Sequence, residues 1–279
     1  MLNLPNLSFM VRIGQVRAIQ ALYEAKEQRN PDYLASRILP ISQRVGCFIR
    51  GRFFLKRMRG QPFYQYVLAR TRYYDQIFSD AIAQQGVRYI VNIGCGGDTR
   101  AYRFLLQLSQ NNVNVLECDQ AEAIHVKQAV LHQQLGDNSH LEFQAIDLNN
   151  KEWPELAAWL EQRRDEKILV MLEGVSPYVN RSNFEAFLAF LFDRLKPGSR
   201  LAYDYKREGV VAEFGKSDRT LEPFRLRADA DVSAKFHQQV GFEQQAFELS
   251  ENLSERLAPG AKQGCAPFAE DCLIQLLRI

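Results

Sequence analysis

Short apolar runs of strand length alternate along most of this chain with stretches in which apolar residues recur every three or four positions. The runs sit at 87–93 (VRYIVNI), 113–118 (VNVLEC), 141–146, 167–172 (KILVML) and 200–205 (RLAYDY). They are rich in β-branched and aromatic residues, as strands require, and 167–172 is apolar enough to be buried on both faces. Between the last two runs, Phe184, Phe187, Leu188, Phe190, Leu191 and Leu195 form one stripe of a helix at 182–195. Lys196-Pro197-Gly198 stops it. A further helix is expected at 230–239, ending at Gly241-Phe242. Strands at 243–249 and 271–278 close the pattern as a hairpin pair, with a loop from Leu257 to Ala266. Strands alternating with helical segments predict an α/β fold.

The chain ahead of the first strand reads differently. Residues 9–28 predict a helix with Ala18, Ile19, Leu22 and Tyr23 on one stripe, ended by Asn30-Pro31. Residues 64–84 predict an amphipathic helix. From Arg37 to Arg72 there is no acidic residue. Arg44, Arg50, Arg52, Lys56, Arg57, Arg59 and Arg70 are interleaved there with Phe48, Phe53, Phe54, Phe63, Tyr64 and Tyr66. A helical lid with aromatics inward and arginines in water is the leading reading. An anionic substrate or carrier surface comes second, and nucleic acid or membrane third.

The candidate chemistry begins where the first strand ends. Gly94, Cys95, Gly96 and Gly97 precede Asp98-Thr99, and a helix starts at Arg100. A strand, a glycine-rich turn and a helix bring backbone close to a nucleotide-like ligand. A dinucleotide fingerprint would want a small residue where Thr99 stands, which does not fit. Asp119 follows the second strand at its carboxyl end, the edge where open α/β sheets bind ligands. Glu117 stands beside it.

NIGCGGDTRAYR resembles the glycine loop of the leucine carboxyl methyltransferase family, through Asn92, Gly94, Gly96, Asp98, Thr99 and Arg100. Later motifs of that family recur in order, and the resemblance covers about residues 15–245. They are Arg70-Thr71-Arg72 before the first strand, Glu117-x-Asp119, Asp147-Leu148, Trp153-x-x-Leu156 and Glu173-Gly174 followed by Tyr178. The resemblance implies S-adenosylmethionine (AdoMet) as cofactor, on a Rossmann-like class I methyltransferase sheet with an N-terminal helical lid. Gly94, Gly96 and Asp98 would form the loop. Arg70 would hold the AdoMet carboxylate, for which a guanidinium is suited. Asp119 would take the ribose hydroxyls, with Glu117 sharing the work. Asp147 and Leu148 would meet the adenine, and Glu173 would lie beside the methionine part. Lys127 also has a counterpart, read as a capping or pairing residue. Arg17-Ala18, Asp32 and Glu222-Pro223-Phe224 match more loosely, the last on the substrate side.

Length and composition leave this reading intact. The chain has 279 residues, enough for one large core domain, expected at 87–279 with a substrate-side insertion near 206–229, behind a lid region at 1–86. Net charge is +2, so the basic balance is local and a nucleic-acid partner is not expected. Five cysteines without CxxC spacing fit reduced thiols. Leu2 to Met10 is interrupted by Asn3, Pro5 and Asn6, so no signal peptide is expected. No apolar run approaches ~18 residues, so no membrane span is expected, and the default address is the cytoplasm. His125, His132, His140 and His237 are scattered without metal-ligand spacing. No nucleophile elbow or phosphate-binding loop motif is present.

The expected function is AdoMet-dependent O-methylation of a carboxyl or hydroxyl group on a small molecule, with an anionic acceptor as one option. Protein C-terminal carboxyl methylation is the alternative. A nicotinamide-dependent oxidoreductase and an AdoMet-holding protein without turnover also stand. A carboxylate acceptor needs no base, whereas a hydroxyl benefits from one. The weak candidates for a catalytic group are Tyr178 and His237, with His237 expected on the surface.

Overall fold

A computed structural model describes residues 5–83, 86–150, 152–210, 222–258 and 267–279, with side chains from residue 11 onward. The apolar runs become strands β1 (Tyr89–Ile93), β2 (Asn114–Asp119), β3 (Leu141–Ala145), β4 (Ile168–Leu172) and β5 (Arg200–Arg207). These pair in parallel in the order β3-β2-β1-β4-β5. A two-residue strand, β6 (Arg225–Leu226), pairs parallel with the end of β5. Two longer strands, β7 (Phe242–Leu249) and β8 (Asp271–Arg278), finish the sheet. β8 lies antiparallel between β5 and β7, so the last strand in sequence is not the last in space.

Alternation assigns the two faces. Val91, Ile93, Val170, Leu172, Leu201 and Tyr203 point to one side. They meet the helices α7 (Pro154–Glu161) and α8 (Arg181–Arg194) through Leu156, Trp159, Phe184, Phe187 and Leu191. Ile90, Val115, Leu169, Met171 and Ala202 point to the other side. There they meet α3 (Pro62–Ala83), α5 (Leu105–Asn111) and α10 (Ser250–Leu257) through Tyr74, Phe78, Leu108 and Leu253. A period of two in the strands and a mixed three-and-four spacing in the helices are thus read out directly as two apolar layers. The short helix α4 (Arg100–Arg103) follows the turn after β1, α6 (Ala121–Leu135) follows β2, and α9 (Ala230–Gln239) precedes β7. Asp229 caps α9, its carboxylate accepting from the N–H groups of Asp231 and Val232.

A third apolar cluster joins α1 (Pro5–Tyr23), α2 (Ile41–Met58) and the start of α3. Ala18, Ile19, Leu39, Cys47, Leu55 and Tyr64 fill it. Gly51 of α2 lets the helices close, since a Cβ there would lie 2.2 Å from the Tyr23 ring. The N-terminal helical layer is therefore as expected, though α1 ends at Tyr23 and a 3-10 turn at Lys26–Gln28 replaces its last turns. The aromatics of the basic stretch divide. Tyr64 and Tyr66 are buried, but Phe48 and Phe53 are 55% and 67% exposed. The inward packing expected of all of them holds for only part.

The strands chain together in opposite directions from β1: β2 and β3 on one side, β4 and β5 on the other. In open α/β sheets this reversal opens a crevice beyond the carboxyl ends of the two central strands. The loops after β1 and β4 sit at that edge. Part of the expected insertion, 211–221, and most of the 257–266 loop, 259–266, lie outside the described residues.

Candidate active site

A cavity of about 210 Å³ lies at this switch point. Its floor is the 92–98 turn after β1. Its walls are Asp119-Gln120 after β2, Ile146 to Asn149 after β3, and Glu173 to Val175 with Tyr178 and Val179 after β4. Arg70 enters from α3, and Ile13 and Arg17 close it from α1. Of the positions that the resemblance assigns to the cofactor, all but Glu117 line this one cavity: Arg70, Gly94, Gly96, Asp98, Asp119, Asp147, Leu148 and Glu173. They come from four strand ends and a helix ahead of the sheet.

The turn is built by backbone. Gly94 has φ +66°, and a Cβ there would lie 2.4 Å from Val175 Cγ2. Only glycine meets both demands. The Cys95 N–H donates to the Cys118 carbonyl at 3.0 Å, tying the turn to β2. The Gly96 N–H donates to Asp119 Oδ2 at 2.8 Å, and the Gln120 N–H donates to Asp119 Oδ1 at 2.8 Å. Asp119 is thereby fixed with acceptor capacity remaining on both oxygens, since each carboxylate oxygen takes two donors.

Charge is concentrated on the opposite wall. Arg70 Nε meets Glu173 Oε1 at 3.1 Å and Nη1 meets Asp204 Oδ2 at 3.5 Å. Arg100 meets Asp75 at 2.8 Å, Glu173 at 2.9 Å, and Asp98. Glu173 therefore joins both arginines. Burial alone would raise the Asp98 carboxyl, but the Arg100, Lys127 and Arg103 charges and the Arg100 N–H together outweigh it and hold the group well below the usual carboxylate range. Asp98 also accepts from Asn92 Nδ2 at 2.9 Å and from the Arg100 N–H at 2.7 Å. Its place at the cavity is as a brace of the turn. Asp204 accepts from the Gly174 N–H at 2.6 Å and from the Tyr74 hydroxyl at 3.3 Å, and burial raises its carboxyl.

One residue read near the cofactor points elsewhere. Glu117 is buried away from the cavity and pairs with Lys127 Nζ at 2.6 Å. Burial pushes its carboxyl up to about 7, against the pull of Lys127. It does not share the work of Asp119, while Lys127 is the pairing residue expected. Trp153 is core: its ring packs on Phe187 and Phe190, and its indole N–H donates to the Asp147 carbonyl at 3.0 Å. That bond and the Asn149 N–H to Asp147 Oδ1 at 2.9 Å shape the turn after β3.

The catalytic candidates also separate. Tyr178 lines the cavity, and burial pushes its phenol up to about 12. His237 does not reach the cavity and is not on the surface. It is wholly buried in α9, with Nδ1–H donating to the Ser233 carbonyl at 2.6 Å and Nε2 accepting from the Tyr203 hydroxyl at 2.6 Å. Burial lowers its imidazole to about 4. The helix face of His237 could not be assigned from sequence because the partner, Tyr203, lies in a strand 34 positions earlier.

Sequence reasoning missed the α1 contribution. Arg17 Nη2 donates to the Gly97 carbonyl at 2.8 Å, and Nη1 pairs with Asp32 at 3.1 Å. Thr99 donates to Asp32 Oδ1 at 2.5 Å. The loose matches at Arg17 and Asp32 were the available signal. Asp32 ties the segment after α1 to the glycine turn.

The family model described as leucine carboxyl methyltransferase matches residues 15–192. This chain belongs to the leucine carboxyl methyltransferase family. A relative from Mycobacteroides abscessus is 36% identical over 161 residues, covering 56% of this chain and 51% of its own length. Another, from Mycolicibacterium smegmatis, is 24% identical over 77% of this chain and 72% of its own. Both names place these relatives among S-adenosyl-L-methionine-dependent methyltransferases and give no acceptor. The chain spans about half the length of several curated relatives it matches. Among solved structures, a DUF574 family protein from Streptomyces avermitilis superposes with TM-score 0.60 at 11% identity, over 95% of this chain and 97% of its own. A Thermobifida fusca protein named for a methyltransferase gives 0.57 at 12% identity, over 95% and 94%. These likenesses bear on the fold, which is the Rossmann-like methyltransferase sheet with helices added ahead of it.

Proposed function

We propose that this leucine carboxyl methyltransferase family member is an AdoMet-dependent O-methyltransferase acting on a small molecule, and that the acceptor group is a carboxylate. The observation that carries the proposal is the convergence of the glycine turn, Asp119, Asp147-Leu148, Glu173 and Arg70 on one cavity at the sheet switch point. The fit to AdoMet rests on chemistry. Gly94, Gly96 and Gly97 bring bare backbone to the cavity wall, and Asp119 keeps acceptor capacity for hydroxyl donors. Arg70 offers a buried guanidinium for a carboxylate, and Glu173 supplies negative charge near a cation. When bound, AdoMet supplies a methyl group already activated on a sulfonium.

The chain's own work is then to bind, align and exclude water. Glu173 is held by Arg70 and Arg100 and contributes a fixed field on that wall. The N-terminal helices serve as the lid, with Ile13 and Arg17 over the cavity. Among the described lining carboxylates, those at 98 and 173 are committed to arginines, Asp119 accepts two backbone N–H groups, and Asp147 accepts the Asn149 N–H. Tyr178 is a poor base at about 12. A site equipped in this way suits an acceptor that is ionised before it enters. A free carboxylic acid, with an ordinary pKa of about 4, meets that condition at neutral pH.

The test is transfer of label from methyl-labelled AdoMet to a panel of small carboxylic acids, alcohols and phenols, followed by mild alkali. A methyl ester releases volatile labelled methanol, whereas a methyl ether keeps its label. Alkali-labile transfer to acids is expected. Alkali-stable label on alcohols alone would replace the carboxylate with a hydroxyl acceptor. Transfer only to the C-terminal carboxylate of a protein would favour the protein substrate.

A further inference from the structure

Helix α2 is amphipathic in an unusual sense, because its inner and outer faces are both apolar. Cys47, Gly51 and Leu55 are buried inward. On the opposite side Ile41, Val45, Phe48, Ile49 and Phe53 recur at helical spacing and are between 46% and 77% exposed. Exposed apolar residues scattered singly need no explanation, but five on one helix face do. Arg52 and Lys56 stand among them, and Arg50 and Arg57 flank them, all exposed. No acidic residue occurs between Arg37 and Arg72.

The helix is firmly mounted, so this face is a fixed feature of the surface. The Tyr23 hydroxyl donates to the Phe48 carbonyl at 3.0 Å. Arg59 Nε donates to Glu24 Oε1 at 3.0 Å, and Arg44 Nη1 donates to Gln134 of α6 at 2.8 Å. A second copy is a poor occupant. A two-fold contact through this face would bring arginine and lysine against arginine and lysine without a carboxylate between them.

We propose that the outer face of α2 is an interfacial helix that docks this protein on an anionic phospholipid surface. Apolar side chains enter the boundary between headgroups and acyl chains, while Arg50, Arg52, Lys56 and Arg57 reach the phosphates along their flexible stems. The charge distribution orients the molecule. The net charge is only +2, so the chain outside Arg37–Arg72 is net acidic and is repelled from the surface that attracts α2. Each basic residue near such a surface contributes roughly fivefold in partitioning, and apolar burial adds to this. Because α1 both supports α2 and closes the cavity with Ile13 and Arg17, docking holds the lid one helix layer from the bilayer.

The test is flotation of the full chain with vesicles of phosphatidylcholine alone or mixed with phosphatidylglycerol, at low and high salt. Wild type is expected on the mixed vesicles, at least tenfold above the neutral ones, with less bound at high salt. Phe48→Ser/Ile49→Ser/Phe53→Ser and, separately, Arg52→Glu/Lys56→Glu/Arg57→Glu are each expected to lose at least tenfold while the melting temperature stays within a few degrees of wild type. These positions are exposed, so folding should survive. Four outcomes would overturn the proposal. One is absence of wild type from anionic vesicles. Another is binding that the serine variant retains in full, which is adsorption by charge alone. A third is a concentration-dependent dimer that the serine variant abolishes, which makes a second copy the occupant. The last is capture by an acidic polypeptide or single-stranded DNA with no vesicle binding.

Discussion

Arg100 is 1% exposed, and its guanidinium reaches Asp75, Asp98 and Glu173, carboxylates from a helix, the glycine turn and the end of β4. A buried charge of this kind is balanced only while all partners are present, and removing one side leaves the others uncompensated. Arg100→Ala is therefore expected to destabilise by about 3–5 kcal/mol, measured as a shift of the urea midpoint at constant slope. A loss under 1 kcal/mol would mean water reaches the cluster. His237 makes the second residue-scale prediction. Its imidazole is lowered to about 4 by burial, below the ordinary value near 6.5. The unfolded chain then binds the proton that the folded chain refuses. The stability is present above pH 6.5 and is lost as pH falls through 4, by roughly 3 kcal/mol at most. Protonating Nε2 would also evict the Tyr203 hydroxyl. Unfolding series from pH 7 to 4 should show this limb, and His237→Gln should flatten it while leaving turnover above pH 7 close to wild type. Loss of most turnover with an intact fold would return His237 to the chemistry.

At the scale of elements, the turn after β1 depends on one glycine. Gly94→Ala must hold φ +66° and place a methyl 2.4 Å from Val175 Cγ2, so β1 and the loop after β4 have to part. A cost of about 1–3 kcal/mol in thermal or chemical unfolding is expected, with a larger loss in AdoMet affinity than in stability. Unchanged affinity would place the ligand away from this turn. The turn was legible because strand, glycines and acids lie within one short stretch. The strands β1 to β5 and helix α8 were legible for the same reason: each carries its full apolar pattern locally. Two features were not. Helix α10 presents only Leu253 and Leu257 as an apolar pair among polar residues, too little for a periodic signal, yet Leu253 packs on α3 and the sheet. The expected hairpin of the last two strands does pair, but β8 also inserts beside β5, a choice made by register over seven residue pairs rather than by any local motif.

For the whole molecule, the sheet supplies a cavity at its switch point and the N-terminal helices supply its cover. Most of the cavity could be named from the sequence, because the family resemblance runs through successive strand ends. The cover could not, because Arg17 acts through a backbone carbonyl 80 positions away and Ile13 through packing. No helix among the described residues is long and apolar enough to cross a membrane. The central claim is that this cavity holds AdoMet by Arg70 at one end and Asp119 at the other. The most direct measurement is calorimetric titration of the wild type, Arg70→Ala and Asp119→Ala with AdoMet, its demethylated product and NAD. The wild type should bind AdoMet and the product and give no heat with NAD. Each variant should lose roughly ten- to a hundredfold in affinity, as expected for one charge-assisted contact of about 1.5–3 kcal/mol. Tight NAD binding with no heat from AdoMet, or full affinity in both variants, would contradict it.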